Sequence, residues 1–100
     1  MLDTTYYLRS FQSPSDRARA TCELALCGQE AVPLLRSILD GSAKNEFGVA
    51  YGKLGMPIDC ALVAITRLGP VAKPLEPLVR QQLSAGHPYA QDALSALGVA

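Results

Sequence analysis

The side chains with the most chemical potential in this sequence are three cysteines, one histidine and a sparse set of charges. Cys22 and Cys27 are five residues apart, which sends them to different sides of a helix. That is not the Cys-x-x-Cys arrangement that suits zinc or redox chemistry. All three thiols, Cys60 included, are therefore expected as small apolar core groups. Cys60 also follows Asp59 at an expected helix start, where a thiol pKa can fall, so it is the one thiol worth testing for reactivity. His87, in Ala-Gly-His-Pro-Tyr, sits between two helices and reads as a loop residue. No patterned nucleophile or orienting carboxylate equips it as a general base. P-loop, serine-hydrolase, zinc-protease, calcium-loop and dinucleotide motifs do not occur. No enzyme, no metal and no cofactor is expected.

Charge narrows the partner class. Nine basic residues balance nine acidic ones, and neither sign forms a long block. Nucleic-acid binding draws its affinity from a concentrated basic face, so it ranks third among the functions and requires Arg17, Arg19, Arg36 and Arg80 to gather in space. There is no apolar stretch near 18 residues and no signal-like start, so no membrane partner and a soluble, cytoplasmic protein are expected.

The elements that must position these groups are helices. The chain has 100 residues, 49% of them hydrophobic, with six aromatics and no Trp. Ala- and Leu-rich apolar content favours close helix packing over a β-sandwich. Three glycines each close an apolar run: Gly28, Gly69 and Gly98. Eight residues before each stands Ala20, Ala61 or Ala90; four before stands Leu24, Ile65 or Leu94; immediately before stands Cys27, Leu68 or Leu97. These offsets share one helical face, and the glycine is the preferred left-handed C-terminal cap. After the first two glycines the match continues: Ala31 with Ala72, Pro33 with Pro74, Leu34 with Leu75, Ile38 with Val79. Proline near a helix start is tolerated because first-turn amides have no internal partner.

The pattern predicts first helices at about 15–27, 57–68 and 88–97, and second helices at 30–40 and 71–84. Ahead of them, "DTTYYLRSF" forms one short helix, with Asp3 as N-cap and Tyr7, Leu8 and Phe11 as its inward stripe. Ser13 or Ser15 is the expected N-cap of the next helix. Six helices result. Each hairpin is amphipathic and cannot bury its face alone, so hairpins stack.

These residues carry a resemblance. "FQSPSDRARATCELALCGQEAVPLLRSIL", "ALVAITRLGPVAKPLEPL" and "YAQDALSALG" resemble bacterial HEAT-like repeats, including the short type named after phycobilisome lyases. The resemblance implies an all-α fold, a right-handed α-α superhelix of stacked antiparallel hairpins. Its boundaries are a capping helix at 1–12, repeat 1 at 13–41, an insertion at 42–56, repeat 2 at 57–86 and a partial repeat 3 at 87–100. The family's inward Arg at the start of the first helix corresponds to Arg17 or Arg19, paired with Asp16. Ile58 or Cys60, and His87 or Tyr89, stand at the matching places in the later repeats.

Gly69 and Gly98 are 29 residues apart, but Gly28 and Gly69 are 41 apart. The surplus falls in "GSAKNEFGVAYGKLGMP", residues 41–57, whose glycines resist regular structure. Long loops inside small domains tend to be functional or disordered. Phe47 and Tyr51 either cover the groove between hairpins or project as anchors, with Lys44 and Lys53 beside them. The second candidate surface is the outer face of the second helices: Arg36 and Asp40 in one, Glu76 and Arg80 in the other.

The expected function is a non-enzymatic protein-protein interaction module, an adaptor, inhibitor or immunity-type protein, binding an unidentified protein through the 41–57 loop and that helix face. The alternative is an accessory or regulatory subunit of an enzyme with a small-ligand groove around Cys60 or His87. A chain stopping after Gly98 leaves Ala90, Leu94 and Leu97 without a second helix, which suggests a homodimer through the C-terminal helix.

Overall fold

Asp3 caps the first helix, its carboxylate accepting from the Tyr6 amide at 3.1 Å. The structure, a computed structural model, describes residues 3–44, 48 and 55–98. Helix α1, Thr4–Phe11, buries Tyr7 and Phe11, with Leu8 partly covered beside them. It is fastened to α2, Arg17–Leu26, at two points. The Tyr6 hydroxyl donates to Glu23 Oε1 at 2.9 Å, and the Tyr7 hydroxyl lies 3.7 Å from Cys27 Sγ.

The start of α2 differs from expectation. Neither Ser13 nor Ser15 caps it; their hydroxyls face each other at 3.2 Å. The Ser13 carbonyl instead accepts the amides of Asp16 and Arg17 at 3.1 and 3.0 Å. Asp16, the residue before the helix, already has φ −111° and ψ −19°. Side-chain capping needs an extended residue at that place, so the chain coils into α2 through its backbone.

The hairpin turns form as the repeat predicts. Gly28 and Gly69 adopt φ +62° and +67°, the left-handed conformation that closes a helix, and Gly98 repeats it at +83°. Each of the first two glycines begins a 3₁₀ segment, Gly28–Ala31 or Gly69–Leu75, that leads into α3, Val32–Asp40, or α5, Glu76–Ser84. The second 3₁₀ segment is longer, so α5 starts five residues after the predicted 71. Pro74 supplies the reason: it has no amide for an i→i−4 bond, so the tighter helix runs on to Leu75, while Pro77 falls in the first turn of α5, where no internal partner is needed. Helix α4, Gly55–Leu68, starts two residues before the predicted 57, and α6 spans Ala90–Ala96. The described residues hold six α-helices and no strand.

The repeat offsets map onto the core. Ala20, Leu24, Ala61, Ile65 and Ala90 are wholly buried, and Leu94 and Leu97 nearly so. In the 3₁₀ segments Ala31, Ala72 and Leu75 are wholly buried as well, as are Ile38 in α3 and Val79 in α5. Helix α4 is central, packed against α2 on one side and α6 on the other. Helices α1, α3 and α5 cover this row, with α1 on α2, α3 on α4 and α5, and α5 on α6. The shortest dimension, 22 Å, matches two helix diameters of about 10–12 Å, hence two layers. Because α5 and α4 already bury Ala90, Leu94 and Leu97, the apolar face that suggested a homodimer is covered within one chain. Among the described residues no helix is long and apolar enough to cross a membrane.

Candidate functional site

Of the charges read from the sequence as a partner-facing row, Arg36, Asp40 and Arg80 are exposed and Glu76 is half-buried, and three of the four are engaged locally. Arg80 Nε donates to Glu76 Oε2 at 2.8 Å, one turn along α5. Asp40 Oδ1 accepts from the Ser42 hydroxyl at 2.6 Å and from the Ser42 amide at 2.8 Å. These two bonds, with Arg36 one turn back, hold the Asp40 carboxyl below its usual range. Asp40 thus shapes the exit from α3. Arg36 and Lys44 are exposed. Phe47, Tyr51 and Lys53 lie outside the described residues.

A different surface has concave shape. A groove of about 340 Å³ runs along the seam of α2 and α4 and reaches the start of α6. Two register columns build it. On α2, Ala18 and Cys22 are one turn apart, with Arg17 and Thr21 beside them; on α4, Asp59, Val63 and Arg67 recur at i, i+4 and i+8. The small side chains of Ala18, Thr21 and Cys22 leave the space open. Tyr89, 43% exposed, stands at the α6 side. A second hollow, lined by Val63, Thr66, Arg67, Tyr89 and Asp92, continues from the first toward α6.

The polar groups of the groove are held in set positions. The Thr21 hydroxyl donates to the Arg17 carbonyl at 2.7 Å and is buried. Arg17 is half-buried and lines the groove, whereas Arg19 points outward and pairs with Asp16 at 3.3 Å. Of the two arginines at the start of α2, Arg17 is the half-buried one and Arg19 the exposed one. His87 brings Nδ1 to 3.8 Å from Asp59 Oδ1, tying the loop before α6 to the first turns of α4. That pair is an ion pair only when the imidazole is protonated.

The thiols depart from the expected uniform burial. Cys60 is buried, Cys27 is half-buried and Cys22 is exposed. Cys22 sits on the groove side of α2, away from the Ala20–Leu24 face that packs inward. For Cys60, burial pushes the thiol up, and the Thr21 hydrogen bond and the Arg17 charge do not reverse it. The helix-start activation weighed from the sequence is therefore outweighed by desolvation. Among the described residues no group of three or more His, Cys, Asp or Glu side chains is placed to hold a metal ion.

Comparisons with protein-family models, curated proteins and solved structures return no match. The groove must therefore be read from its own geometry. Sequence reasoning raised a groove around Cys60 or His87 only for its alternative reading and placed the leading binding face elsewhere, because it followed the inward offsets. The outward offsets carried a signal: Ala18 and Asp59 both stand ten residues before their glycines, and Cys22, Val63 and Asp92 all stand six before.

Proposed function

We propose that the chain is a non-enzymatic protein-interaction module, a stack of HEAT-like hairpins in a right-handed superhelix, whose partner docks in the groove between α2, α4 and α6. The observation that carries this reading is the groove itself. It combines a floor of small side chains with exposed Tyr89 and Arg67 at its edge. Tyr and Arg are the residue types enriched at binding hot spots. The buried repeat positions and the left-handed glycines support the HEAT-like assignment. Arg36 and Lys44, exposed on the other layer, form a secondary surface in this proposal, together with the 41–57 segment.

A second reading is a small-ligand site on an accessory subunit of an enzyme. It draws on the groove volume, at the lower end of ligand pockets, and on Cys60 among its lining residues. The two separate in one experiment. Selection of a displayed random peptide library on the wild-type protein should yield ligands lost on a Val63→Arg variant that keeps its helical spectrum and melting temperature. Failure to recover any ligand sensitive to Val63→Arg would sink the peptide-docking reading.

A further inference from the structure

We infer that the outer face of α2 and α4 docks on the same face of a second copy of this chain, antiparallel about a two-fold axis at the level of Cys22 and Val63. The inference rests on the docking reading above and names its partner. It concerns a different face from that of Ala90, Leu94 and Leu97, which the chain itself buries.

Helix α2 is apolar on two sides. Ala20 and Leu24 pack inward, while Ala18, Cys22 and Leu26 recur at i, i+4 and i+8 along the outer side, all three exposed. Leu26 is 88% exposed, so one end of this stripe is a projecting knob. The other end is a hollow, because Ala18 and Cys22 border the groove and Leu26 does not. An antiparallel two-fold at Cys22 exchanges positions 18 and 26. Each Leu26 then enters the hollow beside the Ala18 of the other copy.

The same operation matches the charges of α4. Asp59, Val63 and Arg67 stand at i, i+4 and i+8 on the groove side of that helix. Val63, like Cys22, stands six residues before its glycine, so the midpoints of the two stripes lie level. The axis that brings Cys22 to Cys22 thus brings Val63 to Val63 and sets Asp59 opposite Arg67 twice over. A two-fold interface needs this kind of self-complementary patch. A parallel pairing fails the requirement, since it sets Arg67 on Arg67 and Asp59 on Asp59. Arg67 is exposed and, among the described residues, makes no hydrogen bond or ion pair. Asp59 approaches His87 through Oδ1, and a carboxylate keeps lone pairs for a second donor. Asp92 stands at the same offset on α6 and would face its own copy, which keeps α6 at the margin of the contact.

Sedimentation equilibrium over a rising concentration series tests the inference. Wild type should shift from monomer toward dimer, and Leu26→Glu should stay monomeric with an unchanged helical spectrum. Arg67→Glu and Asp59→Lys should each dimerise at least about tenfold more weakly, because each sets like charges together. Mixed in equal amounts, these two variants should associate about as tightly as wild type, since the heterodimer regains both opposite-charge pairs. A wild type that stays monomeric throughout overturns the inference, while groove-dependent peptides from the display selection leave the docking reading intact. A dimer that Leu26→Glu does not weaken overturns it too, as does a mixture no tighter than its separate components. Leu26→Glu and Arg67→Glu, both at exposed positions, decide the matter even if Asp59→Lys unfolds.

Discussion

Gly28→Ala measures how strongly the hairpin turn depends on a left-handed residue. Gly28 sits at φ +62°, and a Cβ added there meets nothing within 4 Å. The cost is therefore conformational alone. A left-handed L-residue costs about 1–2 kcal/mol, and the stiffer unfolded chain returns about 0.4–1 kcal/mol. The net loss is about 1 kcal/mol, equivalent to about 4–8 °C in melting temperature for a domain of this size. Gly69→Ala should behave alike: φ is +67°, and its added Cβ would lie 3.6 Å from the Ala96 carbonyl oxygen, an ordinary contact. The assay is urea unfolding followed by circular dichroism. A chain assembled chemically with D-alanine at position 28 provides the control, because a D-residue favours positive φ and should be at least as stable as the wild type. An L-alanine variant as stable as wild type, or a D-alanine chain as damaged as the L-form, would refute the reasoning.

Three further outcomes follow from burial and ionisation. Ile65→Ala and Leu24→Ala, both wholly buried at the same repeat offset, should each cost about 2–5 kcal/mol in urea unfolding. Leu26→Ala, 88% exposed on the same helix as Leu24, should change stability by less than about 0.5 kcal/mol. Burial, then the bond to Cys27, pushes the Tyr7 phenol up from 10.0 to about 12. The fold thus favours the neutral phenol, and this contribution, at most about 3 kcal/mol, is complete below pH 10 and lost as pH rises toward 12. Tyr7→Phe should remove that part of the alkaline loss; an unchanged pH profile would assign it elsewhere. Under native conditions a thiol reagent should modify exposed Cys22 readily and buried Cys60 only at the rate of opening, and equal rates would contradict the placement of Cys60.

The inward half of this molecule was legible because burial repeats in register. Ala20, Leu24 and their counterparts lie at fixed distances from glycines whose conformation a helix terminus demands, so periodicity and cap chemistry agree. The delayed start of α5 was less visible, since it depends on the i→i−4 bond that Pro74 removes. The cap of α2 was misread because Ser13 acts through its carbonyl, and residue type does not report which atom is used. Of the charges assigned to a binding face, Arg36, Asp40, Lys44 and Arg80 are exposed and Glu76 is half-buried. Their pairing within the helix, Glu76 with Arg80, follows the i, i+4 rule and could have been anticipated. The groove was legible only at Cys60, for a different reason. It arises from Ala18 and Cys22 facing Val63 across two helices separated by the whole insertion, a juxtaposition that no local pattern contains.

The central claim is that the partner lies along α2 and α4, on the side of Ala18, Cys22, Val63 and Arg67. Amide chemical-shift mapping with a library-selected peptide tests it directly. The account predicts the largest shifts at those four residues and at Tyr89, with Arg36, Glu76 and Arg80 unmoved. Shifts confined to α3 and α5 would contradict it and return the binding face to the other layer.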